Sequence, residues 1–179
     1  MTSKQGYCRC LAVLAGIVLS TLSLKAAPLN VRIVQSNSAG DNVHIIDPVT
    51  NKVVGVITGI EVNHGVAVAP DGSRIYVSDE AESTLDVVDG KTLQVIKRIP
   101  LSAHPNNISV SPDGRRVYVA IAQGAGGVDV IDTGSLQNIK TIQTNNTIHN
   151  PYVTPDGKYV LAGSIPGKMV SVIDTHTDL

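Results

Sequence analysis

The chain has 179 residues, of which 42% are hydrophobic and 16% charged, so length and composition allow one packed domain and exclude a disordered or collagen-like chain. It contains no Trp, no Phe and five Tyr, so its core must consist mainly of small aliphatic side chains, a bias that favours strands. The formal net charge is −1 and the basic residues are scattered, which argues against a nucleic-acid partner and a polybasic membrane patch.

Residues 1–27 have the pattern of a secretory signal peptide. Lys4 and Arg9 precede an apolar run over 11–24, and small residues follow it. The run is too short to cross a bilayer, so we expect cleavage and no membrane span afterwards, with an uncleaved anchor as the alternative. The predicted location is extracytoplasmic: the periplasm, the cell surface or the medium.

Cleavage would change the chemistry available to the remaining chain, 28–179. It would leave 11 basic residues against 15 acidic ones. Both cysteines, Cys8 and Cys10, would be lost with the signal peptide. We therefore predict no disulfide framework, no thiol nucleophile and no cysteine-based zinc site.

Two sequence markers recur with one period. Pro-Asp-Gly occurs at 70–72, 112–114 and 155–157, with spacings of 42 and 43 residues. An apolar pair followed by Asp recurs 42, 43 and 42 residues apart, ending at Asp47, Asp89, Asp132 and Asp174. Two markers that share one period predict an internal repeat.

One period contains four short segments that alternate like strands. In the first complete copy we predict strands over 66–69, 74–78, 84–88 and 95–99. Pro-Asp-Gly joins the first two, because Pro and Asp suit the corners of a tight turn and Gly accepts its left-handed position. The Asp marker is followed three residues later by Thr or Ser, which predicts a turn closed by side-chain hydrogen bonds. Both kinds of Asp are therefore predicted to be structural.

The repeat resembles the YVTN-repeat β-propeller family. The resemblance rests on APDGSRIYVS at 69–78, SPDGRRVYVA at 111–120 and TPDGKYVLAG at 154–163, each followed by a VVD or VID step. The Asn that the family signature places after Tyr-Val-Ser is Asp79 in one copy and is absent from the other two.

The resemblance implies an all-β fold of four-stranded antiparallel blades over 28–179. The blade strands are expected in 31–60, 65–101, 106–144 and 150–179, which amounts to three to four blades and about half of a seven-bladed ring. We therefore expect an incomplete propeller. Its unpaired strand edges and its uncovered blade face predict self-association.

Candidate functional residues occur where the repeats differ. In a propeller, function usually lies in the loops at the end opposite the two turns described above. His64, Asn106 and His149 each lie six residues before the Pro of a Pro-Asp-Gly turn, and His104 lies two residues before Asn106. Equivalent positions of successive blades converge at the channel mouth, so we predict His64, His104 and His149 as metal ligands and Asn106 as a ligand-binding residue. The alternative is that each side chain only caps a loop.

Three functional hypotheses remain open. The first is an exported, non-enzymatic binding or scaffold module for a protein or cell-envelope ligand, with no catalytic residue. The second is a redox-associated propeller that holds a transition metal, such as copper, zinc or iron, through the three histidines. The third is a lactonase-like hydrolase in which Glu61, Glu80 or Glu82 acts as a general base.

Overall fold

The structure, a computed structural model, describes residues 31–179; the predicted signal peptide lies outside the described residues. This part of the chain forms four antiparallel sheets and one short 3-10 helix, Ser38–Gly40. Sheet 1 contains β1 (Ile33–Asn37), β2 (Asn42–Asp47) and β3 (Lys52–Thr58). Sheet 2 contains β4 (Asn63–Val68), β5 (Arg74–Asp79), β6 (Thr84–Asp89) and β7 (Val95–Pro100). Sheet 3 contains β8 (Pro105–Val110), β9 (Arg116–Ile121), β10 (Gly127–Asp132) and β11 (Gln137–Ile142), and sheet 4 contains β12 (Asn150–Val153), β13 (Tyr159–Ser164) and β14 (Met169–Asp174).

The all-β prediction and the order of strands within a repeat are confirmed. Each sheet is a meander of neighbouring strands, and the innermost strands of successive sheets contact one another. The predicted strands of sheet 2 match β5, β6 and β7 to within one residue at each end. Strand β4 begins three residues earlier than predicted. Its pairing with β5 passes from Asn63–Asp79 to Val66–Val77 around one extra residue, and this bulge breaks the alternating sequence pattern.

Successive sheets pack face to face through aliphatic side chains. Tyr76 and Leu85 of sheet 2 are buried against Val117 and Val119 of sheet 3. Similar clusters join sheet 1 to sheet 2 and sheet 3 to sheet 4. Full burial of an apolar side chain such as Leu85 stabilises the fold by about 1.5–3 kcal/mol relative to leaving it exposed. We call the face that a sheet turns toward the next sheet in sequence its forward face, and the opposite one its rear face.

The Pro-Asp-Gly segments form the predicted tight turns. Gly72 has a φ of +72°, and its N–H donates to the carbonyl of Ala69 at 2.8 Å. Asp71 Oδ1 accepts hydrogen bonds from the backbone N–H of Ser73 at 3.0 Å and from its hydroxyl at 2.7 Å. These donors hold the pKa of the Asp71 carboxyl below its usual value.

The second Asp marker also closes a turn, as predicted. Asp89 Oδ1 accepts hydrogen bonds from the N–H of Thr92 at 2.7 Å and from its hydroxyl at 2.9 Å, which lowers the pKa of Asp89. Asp47, Asp132 and Asp174 accept corresponding hydrogen bonds from the backbone N–H of the residue three positions later. We call the end of the sheets that carries both kinds of turn the turn end. Its repeated carboxylates are used to close hairpins.

Candidate functional site

The predicted site residues lie at the end of the sheets opposite the turn end. His64 is the second residue of β4, and Asn106 is the second residue of β8. His104 and His149 directly precede β8 and β12, while Glu80 directly follows β5. The structure therefore brings these five residues from three sheets to the same end, and we call them the histidine–glutamate cluster.

The Glu80 carboxylate is the centre of this cluster. Its Oε1 lies 2.7 Å from His64 Nδ1, and its Oε2 lies 3.4 Å from His104 Nε2. Asn106 Nδ2 donates a long hydrogen bond of 3.5 Å to Oε1. The Glu80 side chain is only 14% exposed, whereas those of His64 and His104 are 36% and 28% exposed. The carboxylate is thus largely covered, and the imidazoles remain accessible to a ligand.

His149 joins the cluster through its contact with His64. The two ring centroids lie 6.2 Å apart, and the rings are perpendicular. His149 Nδ1 is in contact with Oδ1 of the neighbouring Asn150. All three predicted histidines therefore have one ring nitrogen against a side-chain oxygen, and the structure places His64 between Glu80 and His149.

Two equivalent β-bulges position the cluster residues on the inner strands. The extra residue in β4 lies at His64–Gly65. In β8 the pairing likewise passes from Pro105–Ile121 to Ile108–Val119, so Asn106 lies in a matching bulge. A bulge redirects side chains out of the regular alternation. Gly65, a glycine within an apolar strand pattern, is the sequence signal that could have indicated the first bulge.

A buried serine fixes the backbone of the cluster between sheets 2 and 3. The N–H of Gly65 donates to Ser78 Oγ at 2.7 Å, and the Ser78 hydroxyl donates to the carbonyl of Asn106 at 2.6 Å. At the matching place between sheets 3 and 4, the N–H of Asn107 donates directly to the carbonyl of His149 at 3.3 Å. Ser78 could not be singled out from the sequence, because its partners Gly65 and Asn106 belong to different repeats.

The inner strands approach too closely for a side chain at position 65. A Cβ added to Gly65 would lie 2.8 Å from both the carbonyl oxygen of Asn106 and the Cα of Asn107. These are backbone atoms that cannot move without shifting β8. Gly65 therefore allows the close approach that brings His64 and Asn106 to one site.

Buried aspartates anchor the loops that lead into the cluster. Asp129 is fully buried and accepts hydrogen bonds from the N–H of Ser102 at 2.7 Å and from its hydroxyl at 2.8 Å. Ser102 lies two residues before His104, so Asp129 of sheet 3 holds the loop that presents His104. In sheet 2, buried Asp86 accepts a hydrogen bond from Arg98 Nε at 3.1 Å, and Arg98 also donates at 2.7 Å to the carbonyl of Gly59 in the loop before β4. Burial raises the pKa of the Asp86 carboxyl.

The other predicted general-base candidates lie apart from Glu80. Glu61 and Glu82 line a cavity of about 280 Å³ together with Asp79 and Arg98. The N–H of Glu82 donates to Asp79 Oδ1 at 2.9 Å, as in a turn. Of the three glutamates, Glu80 is the one that contacts the predicted histidines.

Residues 31–179 contain no group of three or more His, Cys, Asp and Glu side chains arranged to hold a metal ion. The three-histidine metal site stays a prediction. Within the same residues, no helix has the length and apolarity needed to cross a membrane.

The four meander sheets, packed face to face with their inner strands together, define a propeller-like all-β repeat protein. No protein-family model matches the sequence, and no curated protein matches it. The fold is similar to that of a chain of Kuenenia stuttgartiensis hydrazine synthase, a protein that contains a β-propeller, with a TM-score of 0.76 and 32% sequence identity. The similarity covers 82% of this chain and 44% of that chain, so the match spans less than half of the solved chain. It confirms the propeller-like fold, whereas membership of the YVTN-repeat family stays a prediction.

Proposed function

We propose that this protein is an exported, non-enzymatic binding module that presents the histidine–glutamate cluster to a partner protein or a cell-envelope ligand. One observation carries the proposal: the repeated aspartates close turns at one end, whereas polar side chains that close no turn gather around Glu80 at the other. None of these side chains is needed to close a hairpin. Residues that converge without a role in the scaffold are the usual mark of a binding surface.

The cluster offers a polar ligand several hydrogen-bonding groups at a partly open surface. With Glu80 against Nδ1 of His64, the Nε2 atom of that ring is left for a ligand. His104 likewise keeps Nδ1, and Asn106 contributes an amide. The predicted ligand is therefore a polar group that can both donate and accept hydrogen bonds.

Site-specific photo-crosslinking in the exported protein tests this function. A photoreactive amino acid at His104 should give one discrete adduct in cell envelopes, because His104 lies in the cluster and is partly exposed. The matched control places it at Lys91, an exposed residue at the turn end. An adduct that forms at both positions, or one that survives Glu80→Gln, would contradict binding by the cluster.

Metal binding is the second candidate, favoured by the contacts of the three rings. A histidine that binds a metal through one nitrogen usually has its other nitrogen against a carboxylate or carbonyl oxygen. Glu80 supplies such oxygens to His64 and His104, and Asn150 supplies one to His149. Stoichiometric copper, zinc or iron in the exported protein, lost when the three histidines are replaced by Ala, would support this candidate. A metal content unchanged by the triple substitution would exclude it.

A further inference from the structure

The Glu80 carboxylate determines which ring nitrogens of the cluster are left for a ligand. A carboxylate only accepts hydrogen bonds, so the ring nitrogens in contact with it, Nδ1 of His64 and Nε2 of His104, carry the N–H. At about pH 8 an imidazole is predominantly neutral and has a single N–H. The second nitrogen of each ring, Nε2 of His64 and Nδ1 of His104, therefore presents a lone pair. These two rings can accept a hydrogen bond from a ligand but cannot donate one to it.

Glu80 also gives the cluster a negative charge that no basic side chain balances. Within residues 31–179, the nitrogen atoms at salt-bridge distance from Glu80 belong to the two imidazoles. In the same part of the chain, no Lys or Arg side chain forms an ion pair with Asp79 or Glu82, which flank Glu80. The outward-facing lone pairs thus lie beside uncompensated carboxylates.

The basic residue next to this loop is already engaged elsewhere. Arg98 lines the neighbouring cavity with Asp79 and Glu82. Its guanidinium donates to the buried carboxylate of Asp86 at 3.1 Å and to the carbonyl of Gly59 at 2.7 Å. The charge of Arg98 is therefore offset by Asp86, and it leaves Glu80 without a cationic partner.

The acidic side chains belong to one loop and do not recur. Asp79, Glu80 and Glu82 lie at the end of β5 and directly after it. The corresponding segments at the ends of β9 and β13, residues 121–126 and 164–168, contain no acidic residue. The loop carboxylates thus differ from the turn aspartates, which repeat because every hairpin needs one. Glu80 is available for a cation that comes from outside the chain.

We propose that the cluster binds a cationic side chain, Lys or Arg, of a partner protein, whose N–H groups donate to the free nitrogens of His64 and His104. Ammonium and guanidinium groups carry several N–H donors and no acceptor, which suits lone pairs beside a carboxylate. A docked protein also brings surface that can exclude water from the partly exposed rings, and backbone carbonyls that can accept from Asn106. The inference rests on the proposed function, because it names the chemistry of the partner.

Nuclear magnetic resonance of the full exported chain, labelled with nitrogen-15 histidine, tests this chemistry. At about pH 8 we expect Nε2 of His64 and Nδ1 of His104 to resonate as unprotonated nitrogens, with His64→Gln and His104→Gln used to assign the signals. Titration with the peptide acetyl-Gly-Arg-Gly-amide or its Lys analogue should move both signals to saturation. A matched peptide with citrulline, which has the shape of Arg without its charge, should bind about tenfold more weakly, because charge-assisted hydrogen bonds are stronger than neutral ones.

Two glutamate variants separate direct contact from long-range charge. In Glu80→Gln, the carboxylate that orients both rings is lost, and the Arg peptide should bind about tenfold more weakly or not at all. Glu82→Gln is the matched control, because it removes the same charge from the same loop without touching a predicted histidine. Binding should then weaken less than about threefold, since salt screens charges that are not in contact. Circular dichroism checks that both variants are folded.

The photo-crosslink at His104 separates this inference from the proposed function. We expect the adduct to disappear when the lysines of the cell envelope are acetylated or its arginines are blocked with phenylglyoxal, and the effective treatment identifies the side chain. An adduct that survives both treatments would leave the proposed function intact and overturn this inference. Peptide binding without any envelope adduct would assign the site to a free amine and overturn the assignment to a partner protein.

Three results of the peptide titration would also overturn the inference. The first is an N–H on the outward nitrogen of either ring at about pH 8. The second is equal binding of the Arg and citrulline peptides. The third is a stoichiometric response of both signals to zinc when neither basic peptide moves them, which would assign the lone pairs to a metal ion.

Discussion

The hydroxyl of Ser78 links the inner strands β4 and β8 at the back of the cluster, and its removal makes a strong test. In Ser78→Ala, the buried N–H of Gly65 and the carbonyl of Asn106 both lose a partner. Each unsatisfied buried group costs about 1–3 kcal/mol, so the free energy of unfolding should fall by about 2–6 kcal/mol. For a domain of this size, that corresponds to a melting temperature lower by about 6–18 °C.

Thermal unfolding followed by circular dichroism, at one fixed protein concentration, measures this effect. Ser73→Ala is the matched control, because its hydroxyl donates one exposed hydrogen bond to Asp71. Its loss should change the free energy of unfolding by at most about 0.5 kcal/mol.

The corresponding position in sheet 3 defines the result that would refute this reasoning. Sheet 3 has Ala120 where sheet 2 has Ser78, and there the strand β8 donates directly to the residue before β12, from Asn107 to His149. If Ser78→Ala melts like the unchanged protein, β4 and β8 can make the direct bond as well. The serine would then have no part in holding the cluster.

Three further predictions concern the turns and the cluster. Gly72→Ala should lower the free energy of unfolding by about 1–2 kcal/mol, because its φ is +72°. Gly114→Ala should lower it further, because its Cβ would also lie 3.2 Å from Cδ of Pro70. Equal decreases in urea unfolding would contradict this packing. The turn aspartates Asp71, Asp89 and Asp156 have lowered pKa values. Their contribution to stability is therefore complete above the usual Asp pKa of 3.8 and is lost as the pH falls through the lower pKa of the folded state. We expect the melting temperature to decrease once the pH is below about 4. A melting temperature that is level from pH 5 to pH 2 would show that these turns do not matter. Glu80→Gln should change the free energy of unfolding by less than about 1 kcal/mol while abolishing the crosslink at His104, since the two imidazoles that contact Glu80 are partly exposed and solvent can replace its contacts. A large loss of stability would assign Glu80 to the scaffold.

The sequence was sufficient to predict the strands and turns, because both repeat markers act locally. The carboxylate of Asp71 closes its turn with Ser73, two residues away, and Asp89 does so with Thr92, three residues away. Such interactions depend on spacing alone. The predicted start of β4 was wrong, because the strand contains a bulge that depends on its pairing with β5. The alternation of residues within β4 gives no information on that pairing.

The cluster was only partly predictable from the sequence. The equal offset of His64, Asn106 and His149 predicted that they lie together, since repeats of one length place equivalent residues alike. The central role of Glu80 could not be read in this way. It follows β5 of sheet 2 and reaches His104 of the next repeat, so its contacts depend on the packing of two sheets.

The separation of the turn end from the histidine–glutamate cluster has a consequence for how this protein can diversify. Each turn residue closes a hairpin, so its substitution costs stability in its own repeat, whereas the cluster residues close no hairpin. If the cluster is the binding surface proposed above, its preference can be altered at His64, Glu80, His104, Asn106 and His149 with little effect on folding. A combinatorial library confined to these five positions should yield mostly folded variants with different specificities.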